Sequence, residues 1–133
     1  MPMSRHKYIG GFFEMALPDG GNAQSILSHW KIDNYNCSGF VNARSALSAL
    51  LLQLNPSRVL LPAYCCRSLV EACAGHRFEF YPLTEDLAPD VHFLERTARA
   101  GDHILAINYF GKAPSHLFQK FVEQHQDLLF IED

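Results

Sequence analysis

Three short apolar runs, Val59-Leu60-Leu61, Ile104-Leu105-Ala106-Ile107 and Leu128-Leu129-Phe130-Ile131, limit most strongly the folds open to this chain. They read as strands that are apolar throughout rather than alternating, the pattern of strands covered on both faces. Helical stretches separate them. Ala46, Leu47, Leu50, Leu51 and Leu54 make one helical face, ended by Asn55-Pro56. Ser68 to Ala74 reads as a short helix stopped by Gly75, and Arg77 to Tyr81 alternates as a further strand. Pro89-Asp90 opens a helix carrying Phe93, Leu94, Thr97 and Ala98, with Gly101 after it. Pro114-Ser115 opens another carrying Leu117, Phe118, Phe121 and Val122, and an extended stretch around Phe40-Val41 reads as the first strand. Strands separated by single helices imply parallel pairing through right-handed crossovers. The expected fold class is α/β, a three-layer sandwich with a mostly parallel sheet.

A length of 133 residues suits one modest domain, and 48% hydrophobic content suits a globular core. Residues 38–133 form the predicted domain. Residues 1–37 form a predicted arm, rich in Gly, Asn, Ser and Pro, whose Phe12, Phe13, Met15, Leu17 and Trp30 are too apolar for a solvated tail. The formal net charge is -3 with no basic stripe, which argues against a nucleic-acid partner. No apolar run approaches the ~20 residues that span a bilayer, and Glu14 interrupts any secretory segment, so the expectation is a soluble, cytoplasmic protein without a membrane partner. Cys37, Cys65, Cys66 and Cys73 show no Cys-x-x-Cys spacing, and no two histidines stand four apart. The cysteines read as small buried hydrophobes, the histidines as surface or capping groups, and no metal site is expected.

Ligands of open parallel sheets sit beyond the C-terminal ends of the strands. The candidates by that rule are Pro62-Ala63-Tyr64-Cys65-Cys66, Thr84-Glu85-Asp86, Asn108-Tyr109-Phe110-Gly111 and Glu132-Asp133. Asn42-Ala43-Arg44-Ser45 joins them because a helix N-terminus presents free N–H groups that favour a phosphate. An ordinary Asn or Ser cap explains that turn equally well.

Asn42-Ala43-Arg44-Ser45-Ala46-Leu47, Leu60-Leu61-Pro62-Ala63-Tyr64, Asn108-Tyr109-Phe110-Gly111 and Ile131-Glu132-Asp133 together resemble the successive motifs of the DegT/DnrJ/EryC1/StrS aminotransferases. These are fold-type-I enzymes dependent on pyridoxal 5'-phosphate and associated with amino-sugar biosynthesis. Ile9-Gly10-Gly11-Phe12-Phe13-Glu14 with Leu17-Pro18 resembles the N-terminal arm of one branch. The resemblance spans nearly the whole chain but only the opening part of a typical member, so it implies part of a large domain. Its phosphate-binding turn falls on Asn42-Ala43-Arg44, where Arg44 can add a charge-assisted contact and Ser45 a hydroxyl. Its ring-stacking aromatic falls on Cys66, which cannot stack, and the role passes to a neighbour such as Tyr64 or Tyr109. Asn108 takes the place of a polar residue near the cofactor's phenolic oxygen, and Asp133 that of the aspartate paired with the pyridine nitrogen.

The resemblance implies an amino donor, a keto-sugar or similar carbonyl acceptor, and a homodimer in the intact protein. It also requires a Schiff-base lysine. Lys7, Lys31, Lys112 and Lys120 do not stand in the family's lysine motif, so this chain alone is expected to be inactive. One alternative is a non-catalytic remnant of the fold used for interaction or regulation. Another is a flavodoxin-like or receiver domain, whose acids gather early in the chain around a metal.

Overall fold

The computed structural model describes residues 38–133; the predicted arm, with Trp30, Lys7, Lys31 and Cys37, lies outside the described residues. In chain order the elements are helix α1 (Ala43–Leu54), strand β1 (Arg58–Pro62), α2 (Arg67–Ala72), β2 (Phe78–Tyr81), α3 (Val91–Thr97), β3 (Asp102–Ala106), a 3-10 turn (Tyr109–Gly111), α4 (His116–Gln124) and β4 (Leu129–Glu132). Three helices start where a side chain can take a free N–H. The Asn42 Oδ1 accepts from the Ser45 amide at 2.8 Å, Asp90 from Phe93 at 3.0 Å and Ser115 from Phe118 at 3.2 Å. α1 ends at Asn55, which adopts a left-handed conformation (φ 47°) and returns its N–H to the Leu51 carbonyl at 2.8 Å.

The four strands are all parallel in the order β2-β1-β3-β4. From β1 the chain steps outward to β2, then crosses back past β1 to β3 and continues to β4. With right-handed crossovers, that reversal puts α2 on one face of the sheet and α3 and α4 on the other. The packing agrees. Val59, Leu61 and Leu105 pack with Leu47 and Leu51 of α1 and Leu69 and Ala72 of α2. Leu60, Ile104 and Ala106 alternate to the opposite face and meet Val91 and Leu94 of α3 and Phe118 and Phe121 of α4. The apolar runs of β1 and β3 follow from this, since both strands are covered on both sides.

Phe40-Val41 is not a strand. Both residues are exposed, Val41 almost fully, and neither pairs with a neighbour in the sheet. Two apolar residues beside Gly39 offer too little buried surface to hold an extra edge. The predicted helix over Ser68–Ala74 instead occupies Arg67–Ala72, and Gly75 stands at φ +90°, three residues past its end. His103 departs from the surface role expected of the histidines. It is buried, and among the described residues neither ring nitrogen has a hydrogen-bond partner.

A buried ion pair fastens β1 to β3 at the N-terminal end of the sheet. The Arg58 Nε and Nη2 donate to Asp102 at 3.2 and 2.5 Å, Nη2 also reaches the Thr97 carbonyl at 2.9 Å, and Nη1 reaches Glu79 of β2 at 2.8 Å. Asp102 accepts further from the Arg99 amide at 2.9 Å. Its bond to Arg58 is the main reason the guanidinium pKa stands above its ordinary value. Removing one member of such a pair strands the other charge in the interior. Arg58→Ala is expected to cost about 3–5 kcal/mol in urea unfolding, and the double variant Arg58→Met/Asp102→Leu far less. His103→Leu is expected to leave the unfolding midpoint unchanged or higher, because it removes an unsatisfied polar ring.

Candidate functional site

The chain's reversal of direction makes β1 and β3 the pair from which connections leave in opposite senses, and a crevice opens beyond their C-terminal ends. Tyr64 follows β1 and Tyr109 follows β3. The Tyr109 hydroxyl donates to the Tyr64 carbonyl, and the rings lie 5.8 Å apart at 35°. These two tyrosines bridge the switch point. Burial first, and then neighbours that include Cys65, Tyr64 and Asp133, raise the Tyr109 pKa, so its hydroxyl remains a donor at neutral pH. Phe110, 86% exposed, takes a left-handed conformation (φ 58°) before Gly111 (φ 71°). A large side chain held there is an unfavourable local geometry of the kind that gathers at binding sites.

The candidate residues fall into two groups. Asn108 and Asp133 belong to one. The Asn108 amide donates to the Asp133 carbonyl at 2.9 Å and the Asp133 amide to the Ala106 carbonyl at 2.9 Å, so the β3–β4 ladder runs on into the acid. The Asn108 Nδ2 donates to the Glu132 carboxylate, which turns its amide toward the neighbouring acid. Asp133 is exposed.

Ala43, Arg44 and Ser45 form the other group at the start of α1. Among the described residues the Ala43 and Arg44 backbone N–H groups make no hydrogen bond, as expected for a first helical turn. The Ser45 hydroxyl lies 3.0 Å from Asn42 Oδ1. Arg44 does not stand free: its Nη1 lies 2.5 Å from Glu71 of α2, which also pairs with Arg67 at 2.9 Å. A phosphate at this turn competes with Glu71 for the guanidinium. The sequence carries no signal for that pairing, since the partners are 27 residues apart.

Cys66 caps α2 and is exposed, unlike the buried thiols expected of the chain. Its Sγ lies 3.0 Å from the Ser68 hydroxyl. That bond is the main reason its pKa is lowered, whereas burial raises those of Cys65 and Cys73. A cavity of about 150 Å³ opens on the α3/α4 side, lined by Ala106, Asn108, Tyr109, Lys112, Pro114 and Phe118 among others. Of the strand-end candidates it contains Asp86, Asn108 and Tyr109, and neither Asp133 nor the start of α1 lines it. Among the described residues no cluster of His, Cys, Asp or Glu could hold a metal, and no helix is long and apolar enough to cross a membrane.

The start of α1 offers backbone N–H groups without partners among the described residues, and the strand end offers an exposed carboxylate at Asp133. Solved structures share the fold. A protein from Burkholderia pseudomallei, provisionally assigned as an aminotransferase, is 19% identical with a TM-score of 0.50, over 65% of this chain and 29% of its own. DesV from S. venezuelae, solved in complex with a ketimine intermediate, is 18% identical with a TM-score of 0.53, over 67% of this chain and 26% of its own. A provisionally assigned sugar aminotransferase from Streptococcus pneumoniae, in its PLP form, is 19% identical with a TM-score of 0.52, over 66% of this chain and 24% of its own. No family model and no curated protein matches the sequence.

The exposed, Ser68-bonded thiol generates a prediction. Alkylation followed by mass spectrometry is expected to label Cys66 first, with an apparent pKa below that of an ordinary thiol, and Cys65 and Cys73 later. Ser68→Ala is expected to move the Cys66 rate profile to higher pH. The chain spans about a quarter of the length of the proteins it matches, and its described residues have the fold of part of the large domain of a fold-type-I aminotransferase.

Proposed function

We propose that this chain belongs to a pyridoxal-phosphate-dependent aminotransferase of the DegT type, acting on a keto-sugar or similar carbonyl acceptor, and supplies the edge that grips the cofactor. The observation that carries the reading is the placement of Asp133. Its backbone is fixed by two ladder bonds beyond β3 and β4, its side chain is exposed at the ligand end of the sheet, and the fold is that of part of an aminotransferase.

Bound pyridoxal phosphate supplies an electron sink for amino-group chemistry, effective when its ring nitrogen is kept protonated. Asp133 holds that proton. The Ala43 and Arg44 N–H groups would hold the phosphate, joined by the Ser45 hydroxyl turning from Asn42 and the Arg44 guanidinium turning from Glu71. Asn108, steadied by Glu132, offers polar contact near the ring's oxygen. Tyr64 and Tyr109 supply the aromatic wall that Cys66 cannot. The intact protein works as a cytoplasmic homodimer in this reading.

Lys112 and Lys120, the lysines among the described residues, are both exposed, outside the enclosed apolar setting in which a Schiff-base lysine is activated. The chain by itself is therefore proposed to bind the cofactor without attaching it. Titration of the chain with pyridoxal phosphate, monitored by cofactor fluorescence, is expected to give saturable binding that Asp133→Asn weakens about tenfold, the effect of losing one charge-assisted bond. Borohydride treatment is expected to fix no cofactor at a single lysine. Absence of saturable binding, even with a lysine-bearing remainder of the enzyme supplied in trans, would favour a non-catalytic remnant of the fold.

A further inference from the structure

We propose that the groove at the N-terminal end of the sheet, opposite the candidate cofactor edge, is a second binding site, for a small phosphate dianion such as inorganic phosphate or a phosphomonoester. The groove is open to solvent, has a volume of about 560 Å³ and is lined by Arg58, Arg77, Arg96 and Arg99 with Glu79 and Asp102. It lies where β1 and β3 begin, since Arg58 and Asp102 are their first residues.

Four guanidinium groups meet two carboxylates there, an excess of two positive charges. Both carboxylates are already engaged: Asp102 with Arg58, and Glu79 with Arg58 and with Arg77 at 2.8 Å. Arg96 and Arg99 make no ion pair among the described residues. The excess matches a dianion. Arg58 is 8% exposed and uses four of the five N–H groups of its side chain on Asp102, Thr97 and Glu79. It forms a fixed cationic wall with one Nη1 N–H to give. Arg99 is anchored by its own amide on Asp102, which keeps its side chain at the rim.

The macrodipole of α3 accounts for Arg96, in that helix's last turn, but not for Arg77 and Arg99 in the same groove. Fork-shaped guanidinium donors suit the three acceptor oxygens of a phosphate better than a single carboxylate. A nucleic-acid polymer is disfavoured, because the chain's net charge is -3 and its basic residues form no stripe.

The test is a titration of the full chain with inorganic phosphate at constant ionic strength, read by residue-resolved amide shifts against a chloride control. The expected result is saturable binding with shifts at Arg77, Arg96, Arg99 and Asp102. Affinity is expected to rise with pH as the ligand takes its second charge, around neutrality for inorganic phosphate and ~6 for a phosphomonoester. Arg96→Gln/Arg99→Gln is expected to bind at least tenfold more weakly. If that variant is not folded by circular dichroism, Glu79→Gln decides, with severalfold tighter binding expected from the loss of a competing carboxylate. Shifts confined to Ala43–Ser45, shifts that chloride reproduces, or an affinity indifferent to these substitutions would overturn the proposal.

Discussion

Parallel pairing of β1 with β3 is the constraint on which the other features depend. Both strands are interior, so their pleats send Val59, Leu61 and Leu105 to one face and Leu60, Ile104 and Ala106 to the other, and each face needs its own layer of helices. Because β1 connects to β2 on one side and β3 to β4 on the other, right-handed crossovers separate α2 from α3 and α4. The same reversal opens a crevice at the C-terminal ends of the two central strands. Arg58 and Asp102 lock the pair at the opposite end, so the crevice opens from a fixed base.

Two chemically different edges result from one sheet. The C-terminal edge gathers a helix N-terminus, a hydrogen-bonded tyrosine pair and an exposed aspartate. The N-terminal edge gathers arginines around a saturated ion pair. Competition runs through the first of these. Glu71 holds Arg44, so the phosphate proposed for α1 would have to exchange for that carboxylate, at the expense of an α1–α2 ion pair.

Much of the fold could be read in the sequence, because two-sided burial leaves continuous apolar runs and because Asn42, Asn55, Asp90 and Ser115 mark helix ends by local chemistry. Phe40-Val41 misled for the same reason: apolar character without a partner strand looks identical to a strand in one dimension. The order β2-β1-β3-β4 is one that flavodoxin-like sheets also show, so the strand pattern could not separate these folds. The likeness to solved aminotransferases does. Within the site, Asn108 beside Asp133 follows from strand ends, whereas Arg44–Glu71 and Tyr109–Tyr64 join residues 27 and 45 apart, pairings that only the folded chain creates. The buried His103 was hidden by its neighbours' apolarity.

The central claim is that the start of α1 and the end of β4 serve one ligand. Amide shift mapping with pyridoxal phosphate and, in parallel, with dephosphorylated pyridoxal tests it most directly. The account predicts that pyridoxal phosphate moves the Ala43, Arg44 and Ser45 amides together with those of Asn108 and Asp133, with one shared affinity. Pyridoxal is predicted to move only the Asn108 and Asp133 amides, and more weakly. Shifts at the two groups that saturate at different concentrations, or no shift at Asp133, would contradict it.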